Sequence, residues 1–336
     1  MKIIEDADNQ SEINISTLPH LRVPGSQRIA FVFPGQGSQY VGMGKEIHEN
    51  FDVAADIFKE ASDVVGYDLA RLAFNGPEEE LNKTFRTQPS ILTVSIALYR
   101  VLSSKGIKPS VVAGHSLGEY SALVAAEVLL FRDAVKLTEK RGQFMQEAVP
   151  EGKGLMAAIL GLERNKVDEI CQSLQSGYAS PANYNCPGQI VVAGEKSAVE
   201  EAINLCKEAG AKRAVPLSVS VPSHCTLMED ASKRLAELLD NTDFNIPKIP
   251  LVNNADAMFL DNIESIKTSL VRQISSPLLW EDSIRAIINS GIETFVEVGP
   301  GKVLSGLIKR IAPEAKILNV EDIKSLEKTV SFVSNA

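Results

Sequence analysis

A serine flanked by two glycines opens the chemistry of this chain. Gly114-His115-Ser116-Leu117-Gly118 follows the apolar run Val111-Val112-Ala113 and precedes a helix-forming stretch, Glu119 to Val128. The pattern predicts a strand, a tight turn and a helix, with Ser116 at the apex. A serine there projects from a strained turn, and the N–H groups at the start of the helix face its reaction centre. That arrangement suits a nucleophile whose acyl-transfer intermediate needs an oxyanion hole. An ordinary glycine-rich turn would carry the same letters, and the strand-turn-helix context is what favours catalysis.

A serine hydroxyl is a poor nucleophile until a base takes its proton. The chain holds four histidines, so elimination is informative. His20 lies in an acidic N-terminal stretch expected to be flexible. His48 falls among Lys45, Glu46 and Glu49 on an expected helix and reads as a solvated surface residue. His115 adjoins the nucleophile, and side chains that are neighbours at a sharp turn point apart. His224, in Val221-Pro222-Ser223-His224-Cys225, remains. It is expected where a helix begins, running to about Leu239, and a positive helix terminus would keep the imidazole neutral and competent as a base. The plainer reading, a histidine that caps that helix, stays open.

Arg141 is the next residue of interest. On an expected helix, Asp133 to Ala148, the apolar positions are Ala134, Leu137, Phe144, Met145 and Ala148. Arg141 sits four residues from Leu137 and from Met145, on the apolar stripe itself. A guanidinium does not lose its proton, so a buried one needs an anion. An internal salt bridge would supply it, and so would a substrate carboxylate held by a bidentate clamp. No carboxylate completing a triad is evident. In the α/β-hydrolase order the histidine comes near the C-terminus, whereas His224 lies two-thirds of the way along. The chain also lacks the Asp-Gly pair of patatin-like lipases.

These residues need a scaffold. Arg28 to Phe33 reads as a buried first strand, and Pro34 to Gln39 as a turn followed by a helix from about Met43. Asp52 to Val65 and Gln88 to Ser103 read as helices. A self-contained unit begins near Gly154: strand Leu155 to Leu160, helix Arg164 to Leu174, strands Ala179 to Asn185 and Gln189 to Ala193, helix Ser197 to Ala209, strand Arg213 to Val219. The order β-α-β-β-α-β is ferredoxin-like. Strands Ile249 to Val252 and Thr294 to Val298 follow, the latter leading into a helix from Val303 to Ile311. The expected fold is therefore α/β. A large α/β-hydrolase-like domain with a parallel sheet core (27–152 and 221–336) carries an inserted ferredoxin-like subdomain (153–220), behind a flexible extension (1–26).

Composition narrows the function. Hydrophobic content of 44% and charged content of 23% over 336 residues are those of an ordinary globular protein. No apolar run approaches a membrane span. The acidic N-terminal stretch does not read as a secretory signal or a transit peptide. A net charge of −9 argues against bulk nucleic-acid binding. Cys171, Cys186, Cys206 and Cys225 have no C-x-x-C spacing, so reduced thiols in the cytoplasm are expected rather than disulfides or a metal site. The glycines after Phe33 do not fit the dinucleotide fingerprint, and Gly299-Pro300-Gly301-Lys302 is not a phosphate-binding loop.

Several longer segments share one resemblance: FVFPGQGSQ (31–39), TQPSILT (87–93), AGHSLGEYSALV (113–124), KRGQFMQEAVPEG (140–152), NYNCPGQIVVAGE (183–195), VSVPSHC (219–225), VRQ (271–273) and EVGPGKVLSGLIKR (297–310). Through them the chain, from about Arg28 to Arg310, resembles the bacterial malonyl-CoA:acyl carrier protein transacylases of type II fatty acid synthesis. The resemblance implies that Ser116 is the acylated nucleophile, His224 its base, and Arg141 the partner of the malonyl carboxylate. It implies an oxyanion hole from the backbone N–H groups of Gln36 and Leu117. It also implies that Gln273 lies beside the pair, its backbone carbonyl orienting the imidazole in place of a triad aspartate.

The implied reaction is ping-pong transfer of malonyl from malonyl-CoA, through a malonyl-serine ester, to the phosphopantetheine thiol of acyl carrier protein, with no cofactor or metal. A cytoplasmic monomer is expected. The carrier is acidic in that family, which makes Lys212, Arg213, Lys309 and Arg310 candidates for docking it, against ordinary solvated surface charge. A serine hydrolase releasing free acid, a carrier-docking module with a vestigial site, and a transferase serving a polyketide pathway are the competing readings.

Overall fold

The computed structural model describes residues 28–217 and 221–335. The expected extension and His20 lie outside them, as does the end of the strand expected to reach Val219. Ten strands form two sheets. The first has the order β10-β9-β1-β2-β7-β8, from Ile29–Phe33 (β1), Val111–Gly114 (β2), Leu251–Val252 (β7), Phe259–Leu260 (β8), Thr294–Val298 (β9) and Lys316–Val320 (β10). All its pairings are parallel except β7 with β8.

Register explains why β1 reads as an unbroken apolar run. Leu318, Val296, Phe31 and Val112 pair in one row across four strands, and Ile317, Phe295, Ala30 and Val111 in the next. Successive side chains of a strand point to opposite faces. The first row joins the core under the helices Asp52–Val65, Thr84–Ser104 and Phe131–Ala148, and the second packs on Trp280–Asn289 and Val303–Ile311. A parallel sheet covered on both faces needs apolar residues at every position. Each such residue fully buried contributes about 1.5–3 kcal/mol.

The second sheet is antiparallel, order β4-β5-β3-β6: Gly154–Leu160 (β3), Ala179–Cys186 (β4), Gln189–Glu195 (β5) and Arg213–Pro216 (β6). With helices Arg164–Ser173 and Lys196–Glu208 it has the expected ferredoxin-like order. Alternation gives its faces different work. Ala157, Ile159, Ile190 and Val192 pack under the two helices, while Met156, Val191 and Ala193 gather with Cys225 on the other side. The outer edge of β4 is tied to the first sheet's layers, because Tyr184 donates to the Leu278 carbonyl and Leu278 to that of Ala182, each at 2.9 Å.

Some expectations need correction. The segment from His224 is not one helix: a short 3-10 turn, Thr226–Met228, precedes the helix Glu229–Asp240, and His224 stands outside both with φ 62°. Proline at 222 and this left-handed backbone prevent a helix from starting there. The Thr84–Ser104 helix begins a turn before the expected Gln88 and carries Pro89 inside it. His48 is half-buried, edge-on to Phe58 at 5.4 Å and tilted on Phe74 at 5.0 Å, not solvated. Among the described residues no helix is long and apolar enough to cross a membrane.

Candidate active site

Ser116 sits at the end of β2 with φ 53°, a backbone region that side chains other than glycine seldom occupy. The turn is forced by close approach. A Cβ on Gly114 would lie 1.9 Å from the Gly118 carbonyl carbon, and one on Gly118 would lie 2.0 Å from the Phe33 oxygen. The two glycines of the motif therefore let the helix Gly118–Ala125 press against β1 and β2 and raise the serine between them. The pocket above, about 200 Å³, is lined by the turns leaving β1 and β2, the helix Val303–Ile311 after β9 and the second sheet, by Gly35, His115, Leu304, Met156 and Val191 among others. Connections leave β1 toward β2 and β9 toward β10, so the pocket opens at the strand-order switch where α/β sheets bind ligands.

The structure brings Ser116, His224, Arg141 and Gln273 together. His224 Nε2 is 2.8 Å from Ser116 Oγ, and its Nδ1 is 2.7 Å from the Gln273 carbonyl oxygen. A carbonyl only accepts, so Nδ1 carries the proton and Nε2 offers its lone pair to the serine. Burial, then the nearby Arg141 charge, pushes the His224 imidazole down to about 3. The ring is thus neutral near pH 7 for these two reasons rather than through the expected helix terminus. Its backbone N–H donates to the Ile274 carbonyl at 3.0 Å, so the end of the helix Ile263–Ser275 fixes it twice.

Arg141 is 1% exposed. Its Nη1 donates to Gln88 Oε1 at 2.7 Å, and its Nη2 to Gln273 Oε1 at 3.0 Å and Ser116 Oγ at 3.3 Å. Its Nε is buried without a hydrogen-bond partner among the described residues, and Tyr120 presents its ring at 5.7 Å. Among the described residues no carboxylate pairs with it, so the internal salt bridge allowed by the sequence is not present. Neutral amides orient the cation beside the nucleophile, and Glu119 acts on it only through space, without a direct ion pair. Burial lowers its pKa, yet a guanidinium stays charged.

The backbone N–H groups of Gln36 and Leu117 have no hydrogen-bond partner among the described residues, Gln36 in the pocket wall and Leu117 at the first turn of the helix after Ser116. The Gln36 side chain is held through Thr84, which donates to its Oε1 at 2.8 Å and accepts from Gln88 at 2.9 Å. His115 turns away from the serine: its Nε2 meets Asn185 Oδ1 at 2.9 Å and its ring packs on Trp280.

Of the basic residues, Lys212 and Arg213 are exposed. Lys309 Nζ donates to the Pro313 carbonyl. Arg310 is bound to the β4–β5 hairpin, through Gln189 Oε1 at 2.6 Å and the Pro187 carbonyl at 2.8 Å.

Three residues escaped the sequence reading: Gln88, Asn254, whose Oδ1 accepts from the Ser116 N–H at 2.7 Å, and Glu119 beneath them. Gln88 and Glu119 fall inside matched segments, but as a polar and a charged helix residue they carried no distinguishing signal. Among the described residues no cluster of His, Cys, Asp or Glu could hold a metal ion.

A parallel-sheet core with a serine elbow, roofed by a small antiparallel sheet, is the architecture of an acyltransferase. The chain belongs to the acyl transferase domain family, whose model matches residues 30–328. It is 50% identical to the malonyl CoA-acyl carrier protein transacylase of Haemophilus influenzae over 310 residues, covering 91% of this chain and 99% of that one. It is 54% identical to the enzyme of the same name from Escherichia coli K12 over 286 residues, 84% and 93% of the two chains. Among solved structures, a malonyl-transacylase in complex with a type II polyketide acyl carrier protein superposes with TM-score 0.90 at 49% identity, covering 91% of this chain and all of that one. A Vibrio cholerae acyl carrier protein S-malonyltransferase gives 0.88 at 50%, covering 90% and 100%.

Proposed function

We propose that the protein moves a malonyl group from malonyl-CoA to the phosphopantetheine thiol of an acyl carrier protein, supplying fatty acid elongation. The observation that carries this reading is the Arg141 guanidinium, buried 3.3 Å from the nucleophilic oxygen with no carboxylate partner among the described residues. A cation so placed selects acyl groups that end in an anion.

In the first half-reaction His224 Nε2 takes the Ser116 proton as Oγ attacks the thioester carbonyl. The oxyanion accepts from the N–H groups of Gln36 and Leu117. Collapse breaks the C–S bond, and the departing CoA sulfur takes the proton from His224. In the second half-reaction the carrier thiol gives its proton to His224 and attacks the ester, and Ser116 leaves with that proton. Arg141 pairs with the malonyl carboxylate throughout. No cofactor enters.

The reading includes a cytoplasmic monomer and a catalytic domain of residues 27–152 and 221–336 roofed by 153–220. Lys212 and Arg213 stand as exposed cations for an acidic carrier, Lys309 less so, and Arg310 would have to serve while holding its hairpin.

Intact-protein mass spectrometry after mixing with malonyl-, methylmalonyl- and acetyl-CoA tests it. A malonyl adduct lost in Ser116→Ala and discharged by holo carrier protein is expected. An adduct that persists in the variant, or that water discharges as fast as the thiol, overturns it in favour of another nucleophile or a hydrolase. The polyketide carrier bound to the similar transacylase favours a second acceptor, and discharge rates with the two carrier types compare them.

A further inference from the structure

Glu119 is a buried carboxyl that the reaction above does not use. It is 1% exposed, on the first turn of the helix behind Ser116. Its Oε2 accepts from Gln273 Nε2 at 2.8 Å and from the Asn254 N–H at 3.0 Å. Oε1 is buried and has no hydrogen-bond partner among the described residues. Each residue that Oε2 holds reaches further. Gln273 accepts from Arg141 on its Oε1, accepts from His224 on its carbonyl, and donates to the Ser116 carbonyl at 3.0 Å. Asn254 accepts from the Ser116 N–H and donates to the Gly114 carbonyl at 2.8 Å. One oxygen atom therefore stands a single residue away from the nucleophile, the base and the guanidinium.

The chemistry of that node is directional. Gln273 could turn its amide over, and its two ends are nearly alike in shape. Turned over, it would aim an NH2 at Arg141. An acceptor at Oε2 prevents this by holding the NH2 end, which leaves Oε1 for the guanidinium. Burial pushes the Glu119 carboxyl up to about 7. When the proton is on, it belongs on Oε1, because Oε2 already receives two N–H groups, so both forms keep the acceptor. A buried carboxyl costs free energy, and an apolar residue would pack there without that cost.

We propose that Glu119 is a positioning residue that, through Gln273 and Asn254, aims His224, Arg141 and the Ser116 backbone together. The inference rests on the malonyl-transfer reading of the site. Two variants test it. Glu119→Gln keeps an acceptor, oriented by the Asn254 N–H, and Glu119→Met keeps volume but removes the acceptor. Rates are taken per serine that accepts label, so misfolded chains do not enter.

The Met variant should lose about tenfold to a hundredfold in kcat per labelled site. Its preference for malonyl- over acetyl-CoA should fall as well, because Arg141 loses its aim. The Gln variant should stay within about threefold of the parent protein, since it keeps both hydrogen bonds. A merely structural role would lower Tm and the labelled fraction while leaving per-site kcat and acyl preference unchanged, and that result overturns the proposal. So does a Gln variant that loses tenfold or more, which decides the matter even if the Met chain does not fold. Absence of malonyl label on the parent protein overturns the transfer reading along with it. Normal labelling there with an unchanged Met variant overturns the role of Glu119 alone.

Discussion

His224 and Arg141 reach the same oxygen of Ser116, at 2.8 and 3.3 Å, and both are buried. They are held by different means. His224 is fixed by main chain, the carbonyls of Gln273 and Ile274 at the end of one helix. Arg141 is fixed by side chains, the amides of Gln88 and Gln273. Backbone anchors survive substitution of the residue that provides them, and side-chain anchors do not. The base that every acyl group needs is therefore built into the fold, while the cation that chooses among acyl groups rests on replaceable residues.

Breaking the base should cost the most. His224→Ala should slow Ser116 acylation by about 10²–10⁴-fold, for malonyl- and acetyl-CoA alike. Equal losses, read from single-turnover labelling, separate a common base from a selectivity group. Arg141→Ala should reduce kcat/KM for malonyl-CoA by about 10²–10³-fold, the cost of losing the partner of a buried charge. Acetyl transfer should change far less, and a matched loss would merge the two roles. Gln88→Ala leaves Nη1 of the cation unsatisfied at about 1.5–3 kcal/mol, so malonyl-CoA kcat/KM should fall by about tenfold to a hundredfold. The same substitution on the His224 side, Gln273→Ala, keeps the carbonyl but loses the hold of Glu119 on that residue, so acetyl transfer should fall somewhat and malonyl transfer clearly further. A Gln273→Ala variant equally impaired with acetyl-CoA would break the contrast between main-chain and side-chain anchoring.

The same contrast governs what the sequence could reveal. Ser116 was legible because Gly114 and Gly118 leave no room for a side chain and so mark the turn. Arg141 was legible because one charge interrupted an apolar stripe of known period. His224 emerges by elimination, but its neutrality does not come from a helix terminus: Pro222 and a left-handed backbone keep it outside the helix, and burial with Arg141 keeps the ring neutral. Gln273 came only through the resemblance, because a backbone carbonyl is offered by every residue and leaves no mark in side-chain type. Asn254 and Glu119 meet across 135 positions of chain, and no local period records such a contact. The sheets were legible where strands are buried on both faces or alternate. Strand β7 was expected over Ile249 to Val252, but its partner β8 and the helix Ile263–Ser275, which takes its place by packing on Glu229–Asp240, were not.

The smallest effect concerns acidity, and it tests whether the two groups are coupled as well as adjacent. Arg141 is the second cause, after burial, of the depressed His224 imidazole. A depressed base stays unprotonated as pH falls, so the parent protein should keep acylating Ser116 well below pH 6.5. Arg141→Gln removes the neighbouring cation and leaves burial in place. The imidazolium is then less disfavoured, its pKa rises, and the acid limb of the rate profile moves to higher pH by about one unit. Acetyl-CoA is the substrate for this measurement, because it needs no guanidinium. An acid limb that does not move would mean that Arg141 acts on the acyl group alone. A limb that moves would mean that a malonyl carboxylate, by neutralising the same cation, strengthens the base at the moment it binds.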